Sequence, residues 1–293
     1  MRDYLNEMKT LEKKHEFFIG FDSDGCVFDS MEVKHKECFC PAFIKHYNMQ
    51  PASKYAREVW EFVNLYSKMR GCNRFWAIYH SMKLIAQRPE ILARGCAPVD
   101  TADLEKWLAM ESKLGNPALE SYLEKVDSPT LRQALEWSKE VNARVKDMVH
   151  GVPPLPGVKE VLASASQQAD LIVVSQTPLE ALVREWAENK MDHFVNLICG
   201  QEHGTKAEHI HYSTEGKYAP ECILMVGDAP GDYKAAEKNG ALFFPIIPGR
   251  EEYSWNELLN NGLKKFFNRE FQGSYQQKLL DDFNRSLPEN PAW

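Results

Sequence analysis

The stretch Phe17-Phe18-Ile19-Gly20-Phe21-Asp22-Ser23-Asp24-Gly25-Cys26-Val27-Phe28-Asp29-Ser30 decides how this chain is read. Its first five residues form a short, continuous apolar run. That is the length and composition of a strand buried on both faces, and Gly25 marks the turn that ends it. Two carboxylates, Asp22 and Asp24, stand at the end of the run. Crowded acids repel one another, which costs free energy unless a cation or a shared proton holds them. Mg²⁺ takes few protein carboxylates and keeps several waters, so it suits such a strand end. The simpler alternative is an Asp-rich turn with no chemistry, because Asp favours turns on its own account.

Working outward, the 293 residues suffice for one large domain or two, and 44% hydrophobic with 26% charged residues is an ordinary globular mix. A net charge of −7 argues against a broad basic surface for nucleic acid, though not against a small cationic pocket. No apolar stretch has the length of a membrane span. Residues 1–16 are charged throughout, so no secretory signal is expected. The seven cysteines are scattered without zinc spacing, and Cys38 and Cys40 are too close for an ordinary bridge. Reduced thiols and a cytoplasmic location are the expectation.

After the first strand, residues 31–149 hold no convincing strand and read as helices: 32–47, 54–69, 74–87, 101–114 and 128–149. Thr101 is a possible cap, and Ser128-Pro129 an N-cap followed by proline. Val152-Pro-Pro-Leu-Pro-Gly157 then reads as a stiff linker. Beyond it strands alternate with helices: strands at 171–175, 195–199, 222–227 and 241–246, with helices at 158–169, 178–189, 206–212 and 233–239. This is the pattern of parallel βαβ units. The lone strand 17–22 must join them. The fold class is therefore α/β, a Rossmann-like parallel sheet in two pieces, 1–30 and 150–293. Between those pieces lies a large all-α unit, 31–149. The tail from Ser254 reads as one or two helices with a polar end.

Open parallel sheets bind ligands at the carboxyl ends of their strands. Asp22 and Asp24 stand at the first such end. Ser175 ends the second, followed by Gln176-Thr177-Pro178-Leu179-Glu180. Thr177 and Glu180 are spaced as a capping box with Pro178 at the first helical position, which would set free helix N–H groups beside the Ser175 hydroxyl for phosphate. Gly227-Asp228-Ala229-Pro230-Gly231-Asp232 brings two more acids, and Lys206 opens a helix. Four acids, a hydroxyl and a lysine suit a phosphoryl group held with Mg²⁺.

These residues resemble the haloacid dehalogenase superfamily, most of whose members are phosphohydrolases. Its four motifs are matched in order by Asp22 to Val27, Ser175, Lys206 and Gly227 to Asp232. Pro156-Gly157-Val158 and Asp232 to Gly240 have the same look. The resemblance covers the α/β part and implies a phosphoric monoester hydrolase with Mg²⁺ as cofactor and a small phosphate ester as substrate. It makes Asp22 the nucleophile and Asp24 the general acid and base. It gives the metal to Asp22, Asp228 and the main-chain carbonyl of Asp24, with Asp232 in support. It puts Ser175, Gln176, Thr177 and Lys206 around the phosphoryl oxygens. Dehalogenases and phosphonatases of the family lack an aspartate where Asp24 stands, so Asp24 favours phosphate esters. A phosphomutase of the β-phosphoglucomutase type and a non-catalytic phospho-ligand scaffold are the alternatives.

The helical unit lies where that family carries a cap, which closes over the site and sets specificity. The turn Lys68-Met-Arg-Gly-Cys-Asn-Arg74 is the candidate for substrate contact through Arg70 and Arg74, against the plainer reading of solvated helix ends. Lys217 competes with Lys206 for the third motif. His203, His209 and His211 lack metal spacing, and Cys26 reads as a packed side chain. Which ester is used, and the oligomeric state, are not written in the sequence.

Overall fold

The computed structural model describes residues 2–293. The described residues divide into two compact units, one of residues 2–31 and 151–287, the other of residues 32–150 and 288–293.

The first unit is built on five parallel strands, β1 (Phe17–Phe21), β2 (Ala169–Val174), β3 (Leu197–Cys199), β4 (Ile223–Gly227) and β5 (Leu242–Pro245), in the order β3-β2-β1-β4-β5. β1 is central, with Phe17 opposite Ala169 on one side and Phe18 opposite Ile223 on the other. Both faces of the sheet are apolar. Phe17, Ile19, Phe21, Leu171, Val173, Leu224 and Val226 pack on one face, while Phe18, Ile172, Val174, Ile223 and Met225 pack on the other. This explains why β1 reads as an uninterrupted apolar run, since a strand covered on both sides has no solvent face to mark with polar residues. Gly20 sits where β1 is tightest. A Cβ there would lie 2.9 Å from Val174 Cγ2 and 3.3 Å from the Met225 sulfur.

The segment read as a stiff linker is part of this unit. Leu155 N–H donates to the Val27 carbonyl at 2.9 Å, Pro154 pairs with Phe28, and Val152 and Leu155 pack on the core. Its prolines fix the path of a packed segment rather than spacing two bodies apart. Gly157, at φ 90°, starts the helix Val158–Ala165 in a left-handed conformation.

The second unit is all helical. A continuous run over residues 30–46 widens into a π turn at Lys34–Phe39 just ahead of Pro41, whose missing N–H interrupts the ladder. The helices Ser53–Asn64, Arg74–Ile85, Ala102–Met110, Asn116–Leu123 and Pro129–Met148 follow. Three aromatic contacts mark its core: Phe43 with Trp60 at 4.8 Å, Trp60 with Trp137 at 5.6 Å and Phe75 with Trp107 at 5.1 Å.

Several expectations change here. The helix expected to reach residue 69 stops at Asn64, because the Ser67 hydroxyl donates to the Val63 carbonyl and accepts the Met69 N–H, turning the chain. Thr101 makes no side-chain cap. Asp100 accepts the Ala102 N–H at 2.9 Å instead. The helix Asn116–Leu123 lies outside the helices expected from the sequence. The last six residues, expected in the α/β part, belong with the helical unit. Lys68 N–H donates to the Pro288 carbonyl at 3.2 Å, Lys68 Nζ meets Glu289 at 3.0 Å, and Trp293 lies edge-on to Phe62 at 5.5 Å. The buried Arg88 guanidinium covers the Trp293 ring at 4.3 Å, so an apolar ring and a cation fix a tail whose polar composition suggested no partner.

Candidate active site

The chain moves outward from β1 through β2 to β3, then returns to the other side of β1 with β4. That reversal opens a crevice between β1 and β4 at their carboxyl ends. Asp22 follows β1 there, and its N–H donates to the Val226 carbonyl of β4 at 2.9 Å. Its carboxylate is buried, with Oδ1 accepting the Ser23 N–H at 2.8 Å and Oδ2 lying 2.9 Å from Lys206 Nζ.

Lys206 also reaches Asp232 Oδ1, at 2.6 Å. It stands at the first position of the helix Lys206–Thr214, whose start is pinned by a capping box. Thr205 Oγ1 accepts the Glu208 N–H at 3.3 Å, and Glu208 Oε2 accepts the Thr205 N–H at 2.7 Å. The Thr-x-x-Glu spacing is the sequence signature of such a helix start. The other oxygen of Asp232 accepts the main-chain N–H groups of Asp228 and Ala229 at 3.1 and 3.0 Å, which shapes the loop after β4.

Asp22, Asp228 and Asp232 each present a carboxylate oxygen within 4.8 Å of the other two, and all three are buried. Burial pushes the Asp22 carboxyl well above the usual carboxylate range. Asp232 and Asp228 push the same way, and Lys206 only partly opposes them. Burial works against the charge of Lys206, but Asp22 and Asp232 outweigh it and hold the ammonium above its ordinary pKa. The donor set is all oxygen, buried, and carries more negative charge than one lysine offsets. These residues fit a hard divalent ion such as Mg²⁺.

Asp24 is arranged differently. It is half-buried, and its two carboxylate oxygens each accept a hydroxyl, Oδ1 from Ser30 and Oδ2 from Thr177 at 2.6 Å. The turn that carries it needs Gly25, at φ 77°. Two buried indoles brace this loop. Trp186 Nε1 donates to Ser23 Oγ at 3.1 Å, and Trp255 Nε1 to the Cys26 carbonyl at 3.0 Å. No sequence pattern pointed to either.

Ser175 is buried at the end of β2, and its Oγ accepts the Thr177 N–H at 3.2 Å. Gln176 is exposed and ties the loop to the Gly204 carbonyl at 2.8 Å. The capping box expected from Thr177 and Glu180 is absent. The helix begins at Leu179 with Pro178 as its N-cap, because the Thr177 hydroxyl is committed to Asp24. Nor is the first helical N–H free, since Leu179 donates to Glu202 at 2.9 Å.

Lys217 lies away from this cluster, donating to the carbonyls of Leu11 at 2.9 Å and Met8 at 3.3 Å. Burial and the nearby Asp228 push the Cys26 thiol well above its ordinary pKa, which suits a packed side chain. His203 and His209 are buried against each other, with ring centroids 6.0 Å apart. In the helical unit, Arg70 is buried and donates to the Leu65 carbonyl at 2.9 Å. Arg74 donates to Ser138 Oγ at 3.0 Å and Asn142 Oδ1 at 2.7 Å, and burial pushes its pKa down to about 10. These bonds fix both arginines within the helical bundle.

Among solved structures, the chain is similar to a predicted phosphoglycolate phosphatase from Haemophilus somnus, at 16% identity and a TM-score of 0.49 over 82% of this chain and 92% of that one. It is also similar to the HAD-hydrolase YfnB of Bacillus subtilis, described as bound to magnesium, at 13% identity and a TM-score of 0.47 over 84% and 100%. A predicted phosphatase from Clostridium acetobutylicum gives 16% identity and a TM-score of 0.45 over 86% and 100%. Likenesses this distant carry no argument about chemistry. No curated protein sequence matches. The family described as haloacid dehalogenase-like hydrolase matches residues 104–246, a span that takes in Ser175, Lys206, Asp228 and Asp232 and leaves out Asp22 and Asp24. Over residues 104–246 the chain is thus similar to the haloacid dehalogenase-like hydrolases, and Asp22 and Asp24 join Ser175, Lys206, Asp228 and Asp232 at the same end of the sheet.

Proposed function

We propose that the protein is a Mg²⁺-dependent phosphomonoesterase that works through an aspartyl-phosphate on Asp22. One observation carries this reading. A single ammonium, Lys206, spans Asp22 and Asp232, while the carboxylate of Asp24 is held outside that cluster by two hydroxyls. Two neighbouring aspartates thus have different surroundings, as a nucleophile and an acid–base pair require.

In this reading Asp22 Oδ attacks phosphorus as the bond to the leaving oxygen breaks. Asp24 gives its proton to that oxygen, then takes one from the water that hydrolyses the aspartyl-phosphate. Ser175 and the loop N–H groups after it orient the phosphoryl oxygens, and Lys206 offsets their charge. Asp22, Asp228 and the Asp24 carbonyl would hold Mg²⁺, with Asp232 in support. When bound, the ion neutralises the charge that keeps a carboxylate and a phosphate dianion apart. The substrate class is a small phosphorylated metabolite.

The test compares wild type with Asp22→Asn on p-nitrophenyl phosphate with and without Mg²⁺. Wild type is expected to release one phosphate per ester consumed and to yield an acid-stable aspartyl-phosphate on quenching. Asp22→Asn is expected to lose at least ~10³-fold in turnover. Absence of Mg²⁺-dependent turnover across a broad panel of phosphate esters would end this reading.

A further inference from the structure

We propose that Thr177 is a positioning residue for the general acid, acting through its hydroxyl on Asp24. This rests on the phosphomonoesterase reading above. The geometry that carries it is the bond from Thr177 Oγ1 to Asp24 Oδ2 at 2.6 Å, made between the loop after β2 and the loop after β1.

Three observations converge. First, Thr177 has the spacing of a helix-capping threonine, followed three residues later by Glu180, yet its hydroxyl caps nothing and the first helical N–H, of Leu179, donates to Glu202 instead. Second, Thr177 is itself held. Its N–H donates to Ser175 Oγ at 3.2 Å, and its carbonyl accepts the Gln201 N–H at 3.1 Å. Gly200 lies against the same carbonyl, where a Cβ would approach to 2.8 Å. The hydroxyl is therefore carried on a loop fixed at three points. Third, Ser30 donates to the other oxygen of Asp24, so the two hydroxyls grip opposite ends of one carboxyl group and fix its plane.

In the first step the Asp22 oxygen-to-phosphorus bond forms and the ester bond breaks. The Asp24 carboxyl proton passes to the departing oxygen, leaving a carboxylate that both hydroxyls can hold. Without Thr177 the Oδ2 end of the group loses its hydroxyl donor, and the direction of proton delivery is less well set. Because the loop of Thr177 also carries Ser175, the acid is registered against the residues that would bind the phosphoryl group.

The experiment compares two aryl esters of similar size, phenyl phosphate and p-nitrophenyl phosphate. The nitrophenolate departs without protonation far more readily than phenolate, so only the first ester leans on Asp24. kcat/KM reads the step in which the leaving group departs. Thr177→Val is expected to lower kcat/KM for phenyl phosphate by on the order of tenfold or more beyond whatever loss it shows on p-nitrophenyl phosphate, part of the 10²–10⁴ a general acid supplies. Thr177→Ser, which keeps the hydroxyl, is expected to restore the wild-type ratio of kcat/KM between the two esters to within about threefold. Thr177→Ala is expected to repeat the Val result and serves in its place should Val not fold. Equal losses on the two esters, or a Ser variant as poor as Val, overturn the proposal alone. A wild type that turns over neither ester overturns the phosphomonoesterase reading and this proposal with it.

Discussion

Gly227 lies against Asp232 so closely that a Cβ at position 227 would stand 2.5 Å from the Asp232 side chain. No real side chain tolerates that approach, so Asp232 keeps its place only because residue 227 is glycine. Asp232 in turn accepts two loop N–H groups and pairs with Lys206. Gly227→Ala is therefore expected to displace Asp232 and cost about 2–4 kcal/mol through overpacking and a broken buried network. Turnover is expected to fall by at least tenfold. Urea unfolding and steady-state assays at saturating Mg²⁺ measure both, and an active, wild-type-stable variant would contradict this role of Gly227.

Lys206→Met removes the ammonium between Asp22 and Asp232 while keeping most of the side chain's bulk. The three clustered carboxylates are then less well neutralised. We expect a loss of about 2–3 kcal/mol in EDTA, below the full cost of breaking a buried pair because the lysine is partly exposed. Added Mg²⁺ is expected to raise the melting temperature more in the variant than in wild type, since the ion meets a larger uncompensated charge. Turnover is expected to fall by about 10²–10³-fold. Thermal melts across a Mg²⁺ titration give the comparison, and an identical Mg²⁺ response in the two proteins would count against it.

His209 is fully buried, and burial pushes its pKa down to about 3 from an ordinary 6.5, with His203 and Lys206 adding to the shift. The folded state keeps it neutral while the unfolded chain takes up a proton below about pH 6.5, so protons favour unfolding between those two values. Stability is thus intact above about pH 6.5 and falls as the pH drops toward 3, by about 2 kcal/mol at pH 5 from this residue. His203 is shifted the same way and adds to the decline. The decline between pH 7.5 and pH 5 is expected to be shallower in His209→Leu, as read by denaturant unfolding at each pH. An unchanged slope would contradict a His209 that stays neutral in the folded state.

Trp293 shields one side of the Arg88 guanidinium, and Tyr55 lies 4.9 Å from it as well. Trp293→Ala is expected to cost about 1–2 kcal/mol by exposing that cation's contact face and losing the edge contact with Phe62. Removal of residues 288–293 is expected to cost more, because the Pro288 and Glu289 contacts with Lys68 go too. Chemical denaturation followed by circular dichroism provides the measurement. A truncated chain as stable as the full one would show that this docking is not energetically significant.

The sequence by itself determined the central strand, the alternation that makes the sheet parallel, and the identities of Asp22, Asp24, Ser175, Lys206 and Asp228 at its carboxyl end. These were legible because they depend on short-range rules: apolar runs of strand length, turn glycines, and the geometry that collects strand ends on one edge. What only the tertiary structure decided was which hydroxyl, amide or ring each of them meets. Thr177 has the spacing of a helix cap but is committed to Asp24, Asp232 anchors both Lys206 and the loop after β4, and the final tryptophan lies over Arg88. The bonds from Thr177 to Asp24 and from Lys206 to Asp232, and the contact of Trp293 with Arg88, join segments far apart in the chain. A side chain with local and distant partners open to it takes whichever the packed fold brings within reach, and local spacing carries no record of that choice.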